Sequence, residues 1–154
     1  MKHTETRIVP YTPEQMFALV ADVEKYPEFL PWVMGARVNR HTETQLTAEL
    51  IVGFKMIRES YVSRVTLEPH RKVDVAYERG PFKHLTNEWI FSEVDEGCRI
   101  DFFLDFEFRS RLLQRLIGAL FNEAVRKMVG AFETRARRLY GKPGALPDAT
   151  GEPA

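Results

Sequence analysis

Phe29, Leu30 and Trp32 stand close together in a short segment that contains Pro27 and Pro31. Large apolar side chains gathered in a proline-bounded loop suit either an anchor onto the core or the mouth of a cavity for an apolar ligand. Further along, apolar residues fall on alternating positions: Leu50, Val52 and Phe54; Tyr61; Trp89 and Phe91; Phe102, Leu104 and Phe106. A last set, Leu120, Phe121, Met128 and Phe132, recurs at helical spacing. Taken singly, each strand residue is explained by ordinary core packing. As a set they form a strongly aromatic surface facing a helix lined mainly by Leu, Ala and Met. The chemistry such walls offer is removal of a hydrophobic ligand from water, with a few polar atoms to orient it. Tyr61, Asn87 and Trp89 can offer those polar contacts, and the adaptable Met128 suits a flexible tail.

Other chemistries lack their residues. His3, His41, His70 and His84 have no metal-ligand spacing, so no metal site is expected. No nucleophile triad in context, phosphate-binding loop or dinucleotide fingerprint occurs. The single cysteine, Cys98, excludes an internal disulfide and a multi-cysteine metal site. Asp101 and Asp105 alternate out of phase with Phe102 and Leu104 and are expected in solvent. A cyclase-like enzyme would need a titratable group facing the cavity, and Glu59, Tyr61 and Tyr77 are the best placed. The expectation is a non-enzyme that requires no cofactor.

The elements that must position these residues follow from periodicity. Ile8 and Val9 form a short strand that stops at Pro10. Thr12, Pro13 and Gln15 mark a helix start, with Thr12 as cap and Gln15 three residues on. Met16, Phe17, Leu19, Val20 and Val23 give that helix its apolar face. Pro27 and Pro31 keep any following helix short. From Val33 to Phe108 the period is two, in about six strands punctuated by Glu68-Pro69-His70, Gly80-Pro81 and Asp95-Glu96-Gly97, which with the first strand makes a sheet of about six to seven. Gly53 reads as a strand kink and Gly80 as a turn. The connections are too short for crossover helices, so the sheet is antiparallel.

After Ser110, a plausible N-cap, the period returns to 3.6 through Leu113, Leu116, Ile117, Leu120, Phe121, Ala124, Met128, Phe132, Ala136 and Leu139. The stretch spans about 30 residues, or roughly 45 Å as one helix. Gly118 and Gly130 weaken it locally, and Gly141 ends it. The expected fold is α+β: a curved antiparallel sheet wrapped around a long C-terminal helix. One domain covers 1–141, and 142–154, rich in Gly, Pro and Ala, forms a flexible tail.

Composition agrees with a globular chain. Of 154 residues, 44% are apolar and 29% charged, and 11 Phe, 5 Tyr and 2 Trp supply the aromatic surface. No run is long enough to span a bilayer and the N-terminus has no apolar signal region, so a cytoplasmic protein is expected. The net charge of zero is unevenly spread: residues 1–108 carry −5, and 109–142 carry +7. The basic stretch is either a solvated helix face or a surface for anionic lipid or RNA.

Several motifs together resemble one family. Val20-Ala21-Asp22-Val23-Glu24-Lys25-Tyr26-Pro27-Glu28-Phe29-Leu30-Pro31-Trp32 is similar to the signature of the coenzyme Q-binding START-like proteins of the polyketide cyclase and lipid-transport superfamily. Val52-Gly53-Phe54, Gly80-Pro81-Phe82, Phe106-Glu107-Phe108 with Ser110, and Ala131-Phe132-Glu133 before Leu139-Tyr140-Gly141 agree in order and spacing. The resemblance spans residues 6 to 141. It implies a helix-grip fold and binding of ubiquinone or a related polyisoprenoid lipid without catalysis, in support of respiratory electron transport or quinone biosynthesis. It also implies a bacterial cytoplasmic setting, peripheral to the inner membrane where the basic helix meets anionic lipid. Ribosome association toxins of the RatA type share the group, which implies an alternative role at the large ribosomal subunit that blocks subunit association. Trp32 and Val52-Gly53-Phe54 are closer to the quinone-binding branch. Val33 departs from the pattern, standing where members often carry Cys.

Overall fold

The computed structural model describes residues 1–54 and 56–141. The tail expected over 142–154 lies outside the described residues. The alternating segments form seven strands: β1 (Lys2–Val9), β2 (Val33–Arg40), β3 (Gln45–Phe54), β4 (Ile57–Glu68), β5 (Lys72–Arg79), β6 (Phe82–Val94) and β7 (Gly97–Phe108). They pair antiparallel in the order β1-β7-β6-β5-β4-β3-β2, so β2 through β7 make a continuous meander and β1 adds to the far edge. β1 is longer than its two apolar residues suggested. Its ladder runs from Lys2 opposite Asp105 to Val9 opposite Cys98, so backbone pairing with β7 replaces the missing hydrophobic pattern.

Register shifts mark three places in the sheet: between Val33 and Gly35, between Val62 and Ser63, and between Phe82 and His84. Such irregularities bend and twist a sheet, and here they help it curve around a helix.

The first helix, α1 (Pro13–Ala21), starts as its sequence required. Gln15 N donates to Thr12 Oγ1 at 3.1 Å and Thr12 N donates to Gln15 Oε1 at 3.0 Å. A 3-10 helix over Val23–Glu28 accommodates Pro27. Ser110 caps α2 (Arg111–Gly118), accepting from Leu113 N at 3.2 Å.

The expected single long helix is two. The chain turns at Ala119 and Leu120, directly after Gly118, and α3 runs over Phe121–Tyr140. The break frees α3 to choose its buried face, while α2 buries no residue fully. α3 buries Phe121, Val125, Val129, Phe132 and Ala136, while Leu116, Leu120 and Leu139 are exposed. Val125 and Val129 therefore carry the stripe where Ala124 and Met128 led the sequence reading. Sheet and α3 form the helix-grip arrangement, with α1 closing one end of the core. Among the described residues no helix is long and apolar enough to cross a membrane.

Candidate functional site

Sheet and α3 do not close on each other completely. A cavity of about 250 Å³ remains between them. Its floor is Ala48, Leu50 and Val52 of β3, Tyr61, Ser63 and Val65 of β4, and Val73 and Val75 of β5. β6 and β7 add Phe82, Leu85, Asn87, Trp89, Leu104, Phe106 and Phe108, and α3 adds Met128 and Phe132. Val23, Tyr26 and the segment Leu30 to Val33 close the remaining side. A second pocket of about 170 Å³ lies beyond Trp32, between the β3–β4 hairpin and the α2–α3 turn. Trp32, Val52 and Phe108 line both, so the two spaces share a wall.

Most residues expected at a ligand wall meet here. Trp32, Leu50, Val52, Tyr61, Trp89, Leu104, Phe106, Met128 and Phe132 face the inner cavity, and Phe54 and Leu120 face the outer pocket. Four others stand behind the wall. Phe102 buttresses Trp89, with ring centres 4.7 Å apart. Phe91 turns to Phe17 of α1 at 6.1 Å. Phe121 fills the start of α3 against Phe106 at 5.1 Å and His3 at 6.3 Å. Phe29 is an anchor: its ring meets Phe132 edge-on at 5.1 Å, and the Arg135 guanidinium lies 5.1 Å from its centre. Each packs on aromatic neighbours without itself lining either pocket, which periodicity cannot reveal.

The sequence reading missed Tyr26, Val33, Phe82 and Phe108 as lining residues. Tyr26 and Phe82 are fixed by neighbours distant in sequence. Tyr26 meets Phe132 at 5.3 Å, and its hydroxyl donates to Val20 O. Phe82 stacks on Phe108 at 4.8 Å and meets Tyr61 edge-on at 5.3 Å. Gly80 sets the approach to Tyr61. Its φ is +145° and a Cβ there would lie 2.6 Å from Tyr61 Cβ, so only glycine fits.

The polar atoms of the inner cavity are few and unequal. Asn87 Nδ2 donates to Phe103 O at 2.9 Å, and Asn87 Oδ1 accepts from Trp89 Nε1 at 3.2 Å, which fixes the indole in the wall. Ser63 is 3% exposed, and its Oγ has no hydrogen-bond partner among the described residues. Burial pushes the Tyr61 phenol up to about 12 and raises Tyr26 well above its ordinary value, so both stay protonated. Among the described residues the inner lining contains no carboxylate, amine, guanidinium, imidazole or thiol. Glu59 lines only the outer pocket, and Tyr77 lies outside both linings, its hydroxyl accepting from Phe82 N at 3.1 Å. Of the three candidates for acid–base work, only Tyr61 faces the inner cavity. Cys98 is buried elsewhere, and burial pushes its thiol up to about 11.

This geometry has known counterparts. Residues 9–133 match the family described as polyketide cyclase / dehydrase and lipid transport. The chain belongs to this family. Within the family, the chain is 39% identical to the ribosome association toxin RatA of Escherichia coli over 138 residues, covering 89% of this chain and 87% of that protein. It is 37% identical to the coenzyme Q-binding protein COQ10 homolog B, mitochondrial, of Xenopus laevis over 147 residues, covering 92% of this chain and 60% of that one. Among solved structures, the 18 kDa protein CC1736 of Caulobacter crescentus superposes with a TM-score of 0.76 at 37% identity, covering 92% of this chain and 99% of that one. The first two relatives carry names of toxin or binding proteins, while the family description also includes cyclases and dehydrases.

A second surface lies on α2 and α3, away from the cavity. Part of the basic stretch is neutralised in the fold: Arg135 pairs with Glu28 at 2.9 Å, Lys127 with Glu123 at 3.4 Å and Arg137 with Glu133 at 3.9 Å. Arg111, Arg115, Arg126 and Arg138 are exposed and have no ion pair among the described residues. The exposed Leu112 and Leu116 accompany the first two on α2.

Proposed function

We propose that the protein is a non-catalytic carrier that holds ubiquinone or a related polyisoprenoid lipid between its sheet and α3, serving respiratory electron transport or quinone biosynthesis. The observation that carries this reading is the pair of adjoining apolar spaces with Trp32, Val52 and Phe108 in their common wall. A rigid ring fits an inner chamber walled by aromatics, and a chain fits the outer apolar groove. Burying an isoprenoid tail contributes roughly 25 cal/mol per Å², enough for micromolar binding once association costs are met. With no carboxylate or imidazole among the described residues of the inner lining, the site holds a molecule and has little with which to transform it. The 37% identity to a coenzyme Q-binding protein supports the ligand class.

The test is direct. Solvent extraction of the purified protein followed by mass spectrometry is expected to recover a polyisoprenoid quinone. Titration with a short-chain quinone is expected to quench the fluorescence of Trp32 and Trp89. A protein that never carries or binds a quinone or lipid sinks this reading.

A ribosome-directed role is the second reading, favoured by the 39% identity to RatA over most of both chains and by four exposed arginines that have no ion pair among the described residues. In that role α2 and α3 meet RNA phosphate with strong salt dependence. Growth arrest on overproduction, with fewer joined ribosomes in gradient profiles, tests it. Normal growth and profiles exclude it.

A further inference from the structure

Ser63 is the one buried side chain whose polar atom finds no partner among the described residues. It lies on the apolar face of β4, between Tyr61 and Val65, at the register shift between Val62 and Ser63. A buried hydroxyl without a partner is costly, and native proteins rarely keep one without reason. Its surroundings give no structural reason. The facing residue on β3 is Ala48, which offers no side-chain partner. Tyr61, two residues away on the same face, also has no hydrogen-bond partner for its hydroxyl among the described residues. The other polar groups of the lining are engaged: Tyr26 with Val20, and Asn87 with Phe103 and Trp89. Two free hydroxyls therefore share one apolar chamber, while the described lining of the outer pocket is apolar apart from Glu59.

We propose that Ser63 and Tyr61 form a polar pole that takes an uncharged oxygen of the ligand, a carbonyl, ether or hydroxyl, so that the head enters first and the apolar tail leaves past Trp32 toward Leu120. This rests on the ligand-binding reading above and deepens it. The burial gradient sets the direction: Ser63, Val65 and Val73 at the inner end are fully buried, while Leu120 at the outer end is exposed. The charge of the head follows from the lining. Among the described lining residues no cation is present to pair with a carboxylate or phosphate, and burying an unpaired charge costs far more than burying a carbonyl. Tyr61 stays a protonated donor at every physiological pH, because burial pushes it up to about 12. The pole thus selects neutral oxygenated lipids against fatty acids and phospholipid head groups.

The test uses the full chain and three probes of similar length: a decyl-substituted benzoquinone, decylbenzene and palmitate. Binding is read by displacement of Nile red, for the wild type, Ser63→Ala, Tyr61→Phe and the double variant. The quinone is expected to bind more tightly than decylbenzene and far more tightly than palmitate. Each single variant is expected to weaken quinone binding about five- to tenfold and leave decylbenzene unchanged. Ser63→Ala is also expected to leave the ligand-free protein as stable or more stable, since it removes an unpaired hydroxyl, an outcome a structural serine would not give. Equal binding of quinone and decylbenzene, insensitive to both substitutions, overturns the polar pole and leaves a hydrophobic carrier. Palmitate binding as tightly as quinone overturns the selection for a neutral head. Failure of all three probes overturns the carrier reading itself.

Discussion

Arg135 of α3 donates from Nη2 to Glu28 Oε1 at 2.9 Å, joining residues 107 apart in sequence. The same guanidinium lies over Phe29, so one side chain ties the proline-bounded loop to the helix that roofs the cavity. The hydrogen bond from Arg135 holds the Glu28 carboxyl below its ordinary value of 4.5, with the charge of Lys25 adding to it. A carboxyl depressed in the folded state stabilises above its unfolded value, and that contribution fades as pH falls through the folded value. Wild type is therefore expected to exceed Glu28→Gln in stability at neutral pH, and the gap should close on acidification below the carboxylate range. The gap should be small, since Glu28 is exposed. Urea unfolding of both proteins at pH 7 and pH 3 checks this. A gap that persists unchanged at pH 3 contradicts the pairing.

Phe132 is 2% exposed and touches the loop and sheet at once, meeting Tyr26, Phe29 and Trp89 at 5.3, 5.1 and 4.8 Å. Phe132→Ala removes the centre of this cluster and enlarges the cavity. A loss of about 3–5 kcal/mol is expected by chemical denaturation. Leu120→Ala, on the exposed rim of the outer pocket, is expected to change stability by about 0.5 kcal/mol or less. A comparable loss from both would mean that α3 does not pack as described.

The contrast between these two residues shows what the sequence could and could not reveal. Both fall on one helical stripe by spacing alone, yet one is core and the other rim. The turn at Ala119 and Leu120 resets the phase of the helix, and a window read across Gly118 cannot see that reset. The sheet was easier to read, because strict alternation over Leu46 to Phe54 and Ile100 to Phe108 leaves one choice of inward face. Half of β1 was hidden, since His3, Glu5 and Arg7 face inward as hydrogen-bonding and ion-pairing residues: His3 meets Glu5, and Arg7 meets Glu5 and Glu133. Which inward aromatics line the cavity and which buttress it, as with Trp89 and Phe102, depends on neighbours across the sheet. Ser63 did carry a signal, a hydroxyl in phase with Tyr61 and Val65. Its meaning appears only when no partner is found for it.

Asn87 and Trp89 provide a separate test of the wall. Asn87→Leu removes the acceptor of a buried indole N–H and the donor to Phe103 O. Leaving such groups unpaired costs about 1–3 kcal/mol. Beyond this loss, the freed indole should change its environment, shifting the fluorescence maximum in a Trp32→Phe background where only Trp89 emits. Unaltered stability and emission would mean that Asn87 does not hold Trp89.

The exposed arginines line neither pocket, so the two functional readings can be separated in one experiment. Arg111 and Arg115 belong to α2 and line neither pocket. Reversing both to Glu is expected to leave quinone binding within about twofold, because charge on an exposed helix is screened over roughly 8–10 Å. If the chain also engages ribosomal RNA, the same variant should abolish growth arrest and flatten the salt dependence of ribosome binding, lowering its logarithmic slope by about one for each phosphate no longer neutralised. Trp32→Ala, which opens the wall between the two pockets, should do the reverse, weakening quinone binding and sparing the arginine surface. Should Trp32→Ala also abolish growth arrest while the protein stays folded, the ligand and ribosome functions would be coupled through the cavity. An arginine reversal without effect on either activity would leave α2 as a solvated face whose charge balances the acidic sheet.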